Sequence, residues 1–354
     1  MSAKSQTLLD LLRTLSAVDL DSLDVEVAKQ LGPFVDCTSN QAIAHNELSK
    51  TDAEGKLINH QLIVDSIAYA KSKTTEFPNA DVREIAVEAM TVKLAHRIAP
   101  YLTGYSHLQT NPKYSFDMQK TTANAQSEFS QQARMKHVQT LIETGFVAIS
   151  KDLDPNFDVK KLCIKIPATW EGAQACRELE NQGITTLATA IGSMPQATLA
   201  SHVGCTYTGC YINELRVHFD ESYVDENKAF HICDLSQRFY KKHGQRTQVI
   251  VASLISIDEI MILAGADHIT VPPSLLHELS TTPADSWKGA VGSVFKTEYS
   301  EAQEVDGAGS EDEKTWRLAF SRDEGGKSEA RLNDAIKLFS QKQDALEDLV
   351  RLHL

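Results

Sequence analysis

The chain has 354 residues, 42% hydrophobic and 23% charged, a globular composition with ample material for a large core. Its 35 Lys and Arg against 48 Asp and Glu leave a net charge of -13, which argues against a general nucleic-acid-binding or anionic-membrane surface. No apolar run reaches the roughly 18 residues of a membrane span, Lys4, Asp10 and Arg13 interrupt any signal-peptide core, and the 6 cysteines form no C-x-x-C pair, so a reduced, cytoplasmic protein is expected.

Apolar runs at 15–21, 34–38, 102–109, 161–166, 184–190, 206–212, 248–253 and 268–272 have the length and flanks of strands. Helical patterns lie between them. Residues 82–98 put Ile85, Ala89, Val92 and Ala95 on one face. Segments 171–182 and 225–243 stop at Gly183 and Gly244, and Ser256 is a natural N-cap for a short helix over 256–264. The acidic, Gly/Ser-bearing stretch 298–313 reads as a solvated loop. Residues 329–353 form a long amphipathic helix through Leu332, Ile336, Phe339, Leu346 and Leu349.

Strands alternating with helices imply a parallel sheet, and their number favours a closed (β/α)8 TIM barrel with additional terminal helices over an open doubly wound sheet. The whole chain, 1–354, is read as one such domain with helix 329–353 packed on the barrel. No G-x-G-x-x-G follows the first strand and no P-loop occurs, which removes the usual nucleotide-binding readings. The 12 histidines show no H-E-x-x-H and no tight His/Cys cluster, so no metal site is expected.

The run Lys161-Leu-Cys-Ile-Lys165-Ile-Pro-Ala-Thr-Trp170-Glu-Gly172 carries the chemistry. Strand alternation puts Cys163, Lys165 and Pro167 on one face and Ile164 and Ile166 on the other. If the isoleucines face the helices, Lys165 points into the barrel. Burial there disfavours the ammonium, and a free amine attacks carbonyls to form a Schiff base. The lysine also sits at the C-terminal end of its strand, where barrel enzymes keep their chemistry. The bland alternative is a lysine that snorkels to solvent or pairs with a carboxylate. Trp170 reads as a packing residue.

KLCIKIPATWEG resembles the Schiff-base lysine stretch of the transaldolase family. ACRELENQGITTLATAIGSMPQA, FYKKHGQRTQVIVAS, EIMILAGADHITVPPSLLHEL and VDCTSNQAI are similar to its other barrel units. The resemblance runs from about residue 15 to 350 and implies an (α/β)8 barrel that forms an imine through Lys165. It implies Asp21 as the proton-transfer residue, with Asp19 as competitor. Asn40, in Thr38-Ser39-Asn40, would hold the substrate near the imine carbon, and Thr38 and Ser253 would line the pocket. Gln41 replaces the family's proline at that position. Gln109 stands where transaldolases carry a catalytic glutamate, and Gly209, Tyr211, Glu214 and Ile255 replace serine, phenylalanine and two phosphate-binding arginines. Glutamine and tyrosine at 109 and 211 are similar to the related fructose-6-phosphate aldolases, in which they position a water together with a threonine, here Thr189.

A phosphate dianion needs guanidinium or ammonium partners. Their loss leads us to expect an aldolase or condensing enzyme acting on a non-phosphorylated carbonyl compound, suited to specialised metabolism. Arg216, two residues from Glu214, could rescue part of the charge. The alternatives are a pentose-phosphate transaldolase and a non-catalytic homologue. No cofactor is expected, since the lysine supplies the electron sink; the expected partner is a small carbonyl substrate, with neither nucleic acid nor membrane. A homodimer is an assembly that the resemblance allows.

Overall fold

A computed structural model of the chain describes residues 6–76, 81–126, 145–297 and 312–354. Residues 298–311 of the acidic stretch therefore lie outside the described residues. The strands are β1 (Ala17–Leu20), β2 (Ser106–Gln109), β3 (Leu162–Pro167), β4 (Thr185–Ile191), β5 (Tyr207–Tyr211), β6 (Gln248–Ala252) and β7 (His268–Val271). They form a parallel 7-stranded sheet in the order β1-β7-β6-β5-β4-β3-β2.

The run read as a strand at 34–38 is an extended stave between the two ends of this sheet. Leu20 N–H donates to Asp36 O and Thr38 N–H to Leu20 O, both at 2.9 Å. On the other flank Cys37 N–H donates to Tyr105 O at 2.9 Å and His107 N–H to Cys37 O at 2.8 Å. These bonds join β1 to β2 and curl the sheet into a ring, as in a TIM barrel. The expected strand 102–109 shortens to its second half, because Ala99–Tyr101 form a turn of 3-10 helix and Leu102 makes only an isolated bridge to Phe34.

Alternation along the strands sorts the side chains into two cores. Ile164, Ile166, Val249, Val251, Ile269 and Val271 join the large core beneath the helices, whereas Cys163, Leu187, Tyr207 and Ile250 pack together inside the ring. Below the level of Lys165 this cluster shares the interior with buried polar pairs. His268 Nδ1 lies 3.0 Å from Asp19 Oδ2, His107 Nε2 lies 2.8 Å from Asp36 Oδ2, and Asp36 N–H donates to Asp19 Oδ1 at 3.0 Å. Burial alone would raise the Asp36 carboxyl, but His107's hydrogen bond and charge outweigh it and hold it below the usual carboxylate range. Burial opposes the His268 imidazolium too, and Asp19 overcomes it, so that imidazole is raised.

The helices follow their start and stop signals closely. Val82–Ile98 is capped by Asp81, Trp170–Asn181 by Thr169 and Ile257–Ile262 by Ser256; Gly183 and Gly244 take left-handed backbone after their helices. The helix expected from residue 225 begins only at Phe230. Asp225 is drawn away from it, accepting Glu214 N–H at 2.7 Å and an Arg331 guanidinium bond at 2.9 Å. The C-terminal helix, Lys327–Arg351, packs against helices Gln41–Leu48 and Val82–Ile98 and the turn Leu215–His218. That course carries Phe339 to the mouth of the ring.

Candidate active site

A cleft of about 480 Å3 opens at the C-terminal ends of the strands. Asp21, Asn40, Lys165, Tyr211 and Ser253, all named from the sequence, line it together. Lys165 is 3% exposed. Among the described residues no hydrogen bond or ion pair engages its amine; the neighbour it meets is the Tyr211 ring, 5.9 Å from Nζ to the centroid. A buried amine facing a cavity with no carboxylate tied to it is the arrangement that a carbonyl-capturing lysine requires.

Asp21 leaves β1 at its C-terminal end, where Thr38 Oγ1 donates to its Oδ1 at 2.7 Å. Thr38 has one proton to give, so Thr270 Oγ1, 2.6 Å away, donates to Thr38. Asp19 lies one inward-facing position deeper, is fully buried against His268, and does not line the cleft. Of the two aspartates, Asp21 is the one on the cleft wall. The helix N-cap in this loop is Asp24, which accepts Glu26 N–H at 2.9 Å.

Asn40 caps helix Gln41–Leu48: its Oδ1 accepts from Ala42 and Ile43 N–H at 2.9 and 3.0 Å. Its amide NH2 remains as a donor on the cleft wall. Thr189 Oγ1 donates to Tyr211 OH at 3.4 Å. Gly209 makes room for this pair, since a Cβ there would come to 3.2 Å from Thr189 Oγ1. Gln109 stands beside Lys165 in register on the adjoining strand, but its side chain turns to Gln41, donating to Gln41 Oε1 at 2.7 Å. The three residues expected to share a water are therefore grouped as one touching pair plus Gln109 on the far side of Lys165.

The arginine replacements also have clear destinations. Glu214 accepts Tyr223 OH at 2.5 Å, Ile255 is exposed, and Arg216 is held in an exposed pair with Asp220 at 2.7 Å, away from the cleft lining. The cations lining the cleft, among the described residues, are Lys165 and Lys50. Lys50 is neutralised by Asp24 and Glu47, each at 2.6 Å. Leu215, Phe219, Leu254 and Phe339 supply apolar wall.

His218 was not visible as a site residue in the sequence. It lines the cleft, lies 2.9 Å from Ser253 Oγ through Nε2, and burial pushes its imidazole below the usual histidine range. Ser253 takes a positive φ of 59°, a backbone conformation that a non-glycine residue adopts only where its surroundings impose it. No motif marks His218; a long loop folds it back over the strand ends. Trp170 packs against Trp316 outside the cleft, as a structural residue.

All six cysteines are buried and unpaired. Among the described residues no helix is long and apolar enough to cross a membrane.

Residues 18–350 match the family model described as transaldolase/fructose-6-phosphate aldolase. Similar curated proteins include a transaldolase of Alteromonas mediterranea, 26% identical with 96% of each chain covered. A transaldolase of Methylobacillus flagellatus is 29% identical over 78% of this chain and 79% of its own. Among solved structures, a putative fructose-1,6-biphosphate aldolase from Coccidioides immitis aligns at 12% identity and TM-score 0.36, over 91% of this chain and 96% of its own.

Proposed function

We propose, from the premise that this chain belongs to the transaldolase/fructose-6-phosphate aldolase family, that its carbonyl substrate carries no phosphate. The enzyme is of the aldolase type. The observation that carries the finer reading is the cleft lining: besides Lys165, its one cation among the described residues is the doubly paired Lys50. A dianion placed there would face Asp21, Asp24 and Glu47 with no free guanidinium to offset its desolvation. A ketone or aldehyde with an apolar or neutral tail meets Leu215, Leu254 and Phe339 instead.

In the proposed reaction Lys165 Nζ adds to the carbonyl carbon, and the carbinolamine loses water to give an iminium. Asp21 takes the proton of the β-hydroxyl; the carbon–carbon bond breaks, its electron pair enters the iminium as an enamine, and an aldehyde leaves. The enamine carbon then takes a proton, and water hydrolyses the imine to return the free amine. Run backwards, the same steps condense two carbonyl compounds. Asn40's amide orients the bound substrate's oxygen, Thr189 and Tyr211 hold a hydroxyl pair beside the imine, and Gln109 supports the water that relays protons. Thr38 sets Asp21, and Ser253 with His218 lines the distal end.

The test is borohydride reduction in the presence of dihydroxyacetone, hydroxyacetone and longer apolar ketones, with peptide mass mapping. An adduct on Lys165 that is lost in Lys165→Met is expected. Absence of any adduct across the panel would sink the reading. The transaldolase names of the relatives favour a second reading, pentose-phosphate transaldolase. Fructose 6-phosphate with erythrose 4-phosphate separates the two, because robust turnover would overturn the argument from charge.

A further inference from the structure

A second cavity, of about 20 Å3, adjoins the cleft at Asn40, which lines both. Its wall includes Gln109, Glu88, Glu84, Asn111, Asn124 and Gln343. That is space for one water molecule in polar surroundings.

The hydrogen bonds around it dictate which atoms face the space. Gln41 Nε2 donates to the backbone carbonyls of Gln109 and Thr110, at 3.2 and 3.1 Å. Gln41 must therefore present Oε1 to Gln109, and Gln109 must answer with its NH2, at 2.7 Å. The Gln109 carbonyl, Oε1, is thereby turned away; it is enclosed and has no partner. On helix Val82–Ile98, Glu88 Oε1 accepts from Asn124 Nδ2, while its Oε2 is likewise enclosed without a partner. Two residues that each carry an orphaned oxygen thus line one cavity of the volume of a single water. An enclosed acceptor left empty is unfavourable, and two acceptors need donors between them.

We propose that this cavity holds one water joining the Glu88 carboxyl to the Gln109 amide, and that Glu88 is thereby a positioning residue for Gln109 in the Lys165 reaction. The surrounding charges support it. Burial, then the negative charge of Glu84, push the Glu88 carboxyl well above its usual range, against the opposing Asn124 bond. A carboxyl raised in this way keeps a proton to donate to the water, and the water in turn donates to Gln109 Oε1. Glu84 is occupied by Tyr114 OH, at 2.8 Å to both oxygens, and Glu347 by Lys113 and Gln343, each at 3.0 Å. The other polar side chains named in the wall are neutral amides. The family pattern's carboxyl, absent at position 109, thus stands one water bridge behind it in this proposal.

The positioning role rests on the proposed Lys165 chemistry; the water-filled chamber does not, and the experiment reads them separately. The full-length wild type, Glu88→Gln and Glu88→Ala are compared. Infrared spectra at neutral pH should show a buried protonated carboxylic acid band that disappears in both variants. If that band is absent in the wild type, the chamber as described is wrong. Dihydroxyacetone capture on Lys165 is then timed by borohydride quench. Glu88→Gln, which keeps a donor and an acceptor, should retain the rate within about threefold, and Glu88→Ala should lose about tenfold with half-saturation unchanged. Equal rates in Glu88→Ala and wild type overturn the positioning role, as does a loss in half-saturation alone. If the wild type captures no carbonyl, the Lys165 reading fails and the positioning role falls with it, while the infrared band still decides the chamber. Should Glu88→Ala fail to fold, Glu88→Leu in the same series restores volume without polarity and carries the same expectation.

Discussion

Replacing Lys165 by methionine should abolish imine capture and stabilise the protein. The lysine is 3% exposed and no carboxylate pairs with it among the described residues. Taking an ammonium out of water without a partner costs several kcal/mol even after relaxation. The Tyr211 ring, 5.9 Å from Nζ, would offset only about 0.5–2 kcal/mol of that for the protonated form. Methionine keeps a similar length and flexibility and fills the same space with an apolar thioether. Desolvation therefore wins, and Lys165→Met should raise the unfolding free energy by about 1–3 kcal/mol, within the range seen when buried charges give way to apolar side chains. Urea titration at neutral pH reads this as a higher midpoint at unchanged slope. A variant destabilised by more than about 1 kcal/mol would show that the amine is held by interactions the described residues do not provide, and the case for a free nucleophile would fail.

Three further expectations follow from individual contacts. Asp36→Ala removes the acceptor of both His107 Nε2 and Tyr105 N–H, 2.8 and 2.7 Å away beside the closing stave; it should lower stability by about 3–5 kcal/mol, and a loss below about 1 kcal/mol in denaturant titration would refute the view that these side-chain bonds anchor the stave. Gly209→Ser brings a Cβ to 3.2 Å from Thr189 Oγ1; about 1–3 kcal/mol of overpacking and a slower turnover with imine capture retained are expected, and an unchanged rate would separate the Thr189–Tyr211 pair from the chemistry. The third concerns pH. A carboxyl raised in the folded state binds protons there that the unfolded chain has released, so the Glu88 contribution to stability should fall as pH rises above the ordinary glutamate value of about 4.3, by up to about 1.4 kcal/mol per pH unit, until Glu88 ionises in the fold. Glu88→Gln should flatten that slope in thermal unfolding between pH 5 and 8, and parallel curves for the two proteins would contradict the raised carboxyl.

Much of this architecture was legible in the chain. The period-2 run around Lys165 fixed which residues enter the ring, because a one-residue slip would put Ile164 and Ile166 inside. Glycine stops and Ser or Thr caps set the helix ends, since each satisfies a local backbone need. Residues 34–38 misled in degree: they are extended and bonded on both sides, yet form only isolated bridges. Long-range contacts were invisible for a physical reason. His218 and Phe339 reach the cleft through a loop and a distant helix, and neither has a local pattern that records its destination. Nothing in the sequence singles out Glu88; only the fold around it makes it an enclosed acid.

Gln41 and Gln109 look in the sequence like two independent departures from the family pattern, but the structure makes them one unit. Gln41 is the first residue of its helix, preceded by Asn40 in an extended conformation, a position that accepts proline without harm to the helix. Proline there would delete the side-chain amide that grips the carbonyls of Gln109 and Thr110 and receives the Gln109 NH2. With Gln41 in place, a glutamate at 109 would set a carboxylate oxygen against Gln41 Oε1, acceptor against acceptor, because two carbonyls pin the other end of the Gln41 amide. Gln109→Glu alone should therefore cost about 1–3 kcal/mol. Gln41→Pro should cost a similar amount by stranding the Gln109 NH2, and the double variant should cost less than the two singles combined. Denaturant midpoints for the four proteins measure that coupling directly. Additivity within about 0.5 kcal/mol would mean that the two positions do not sense each other and that glutamine at 109 has another origin.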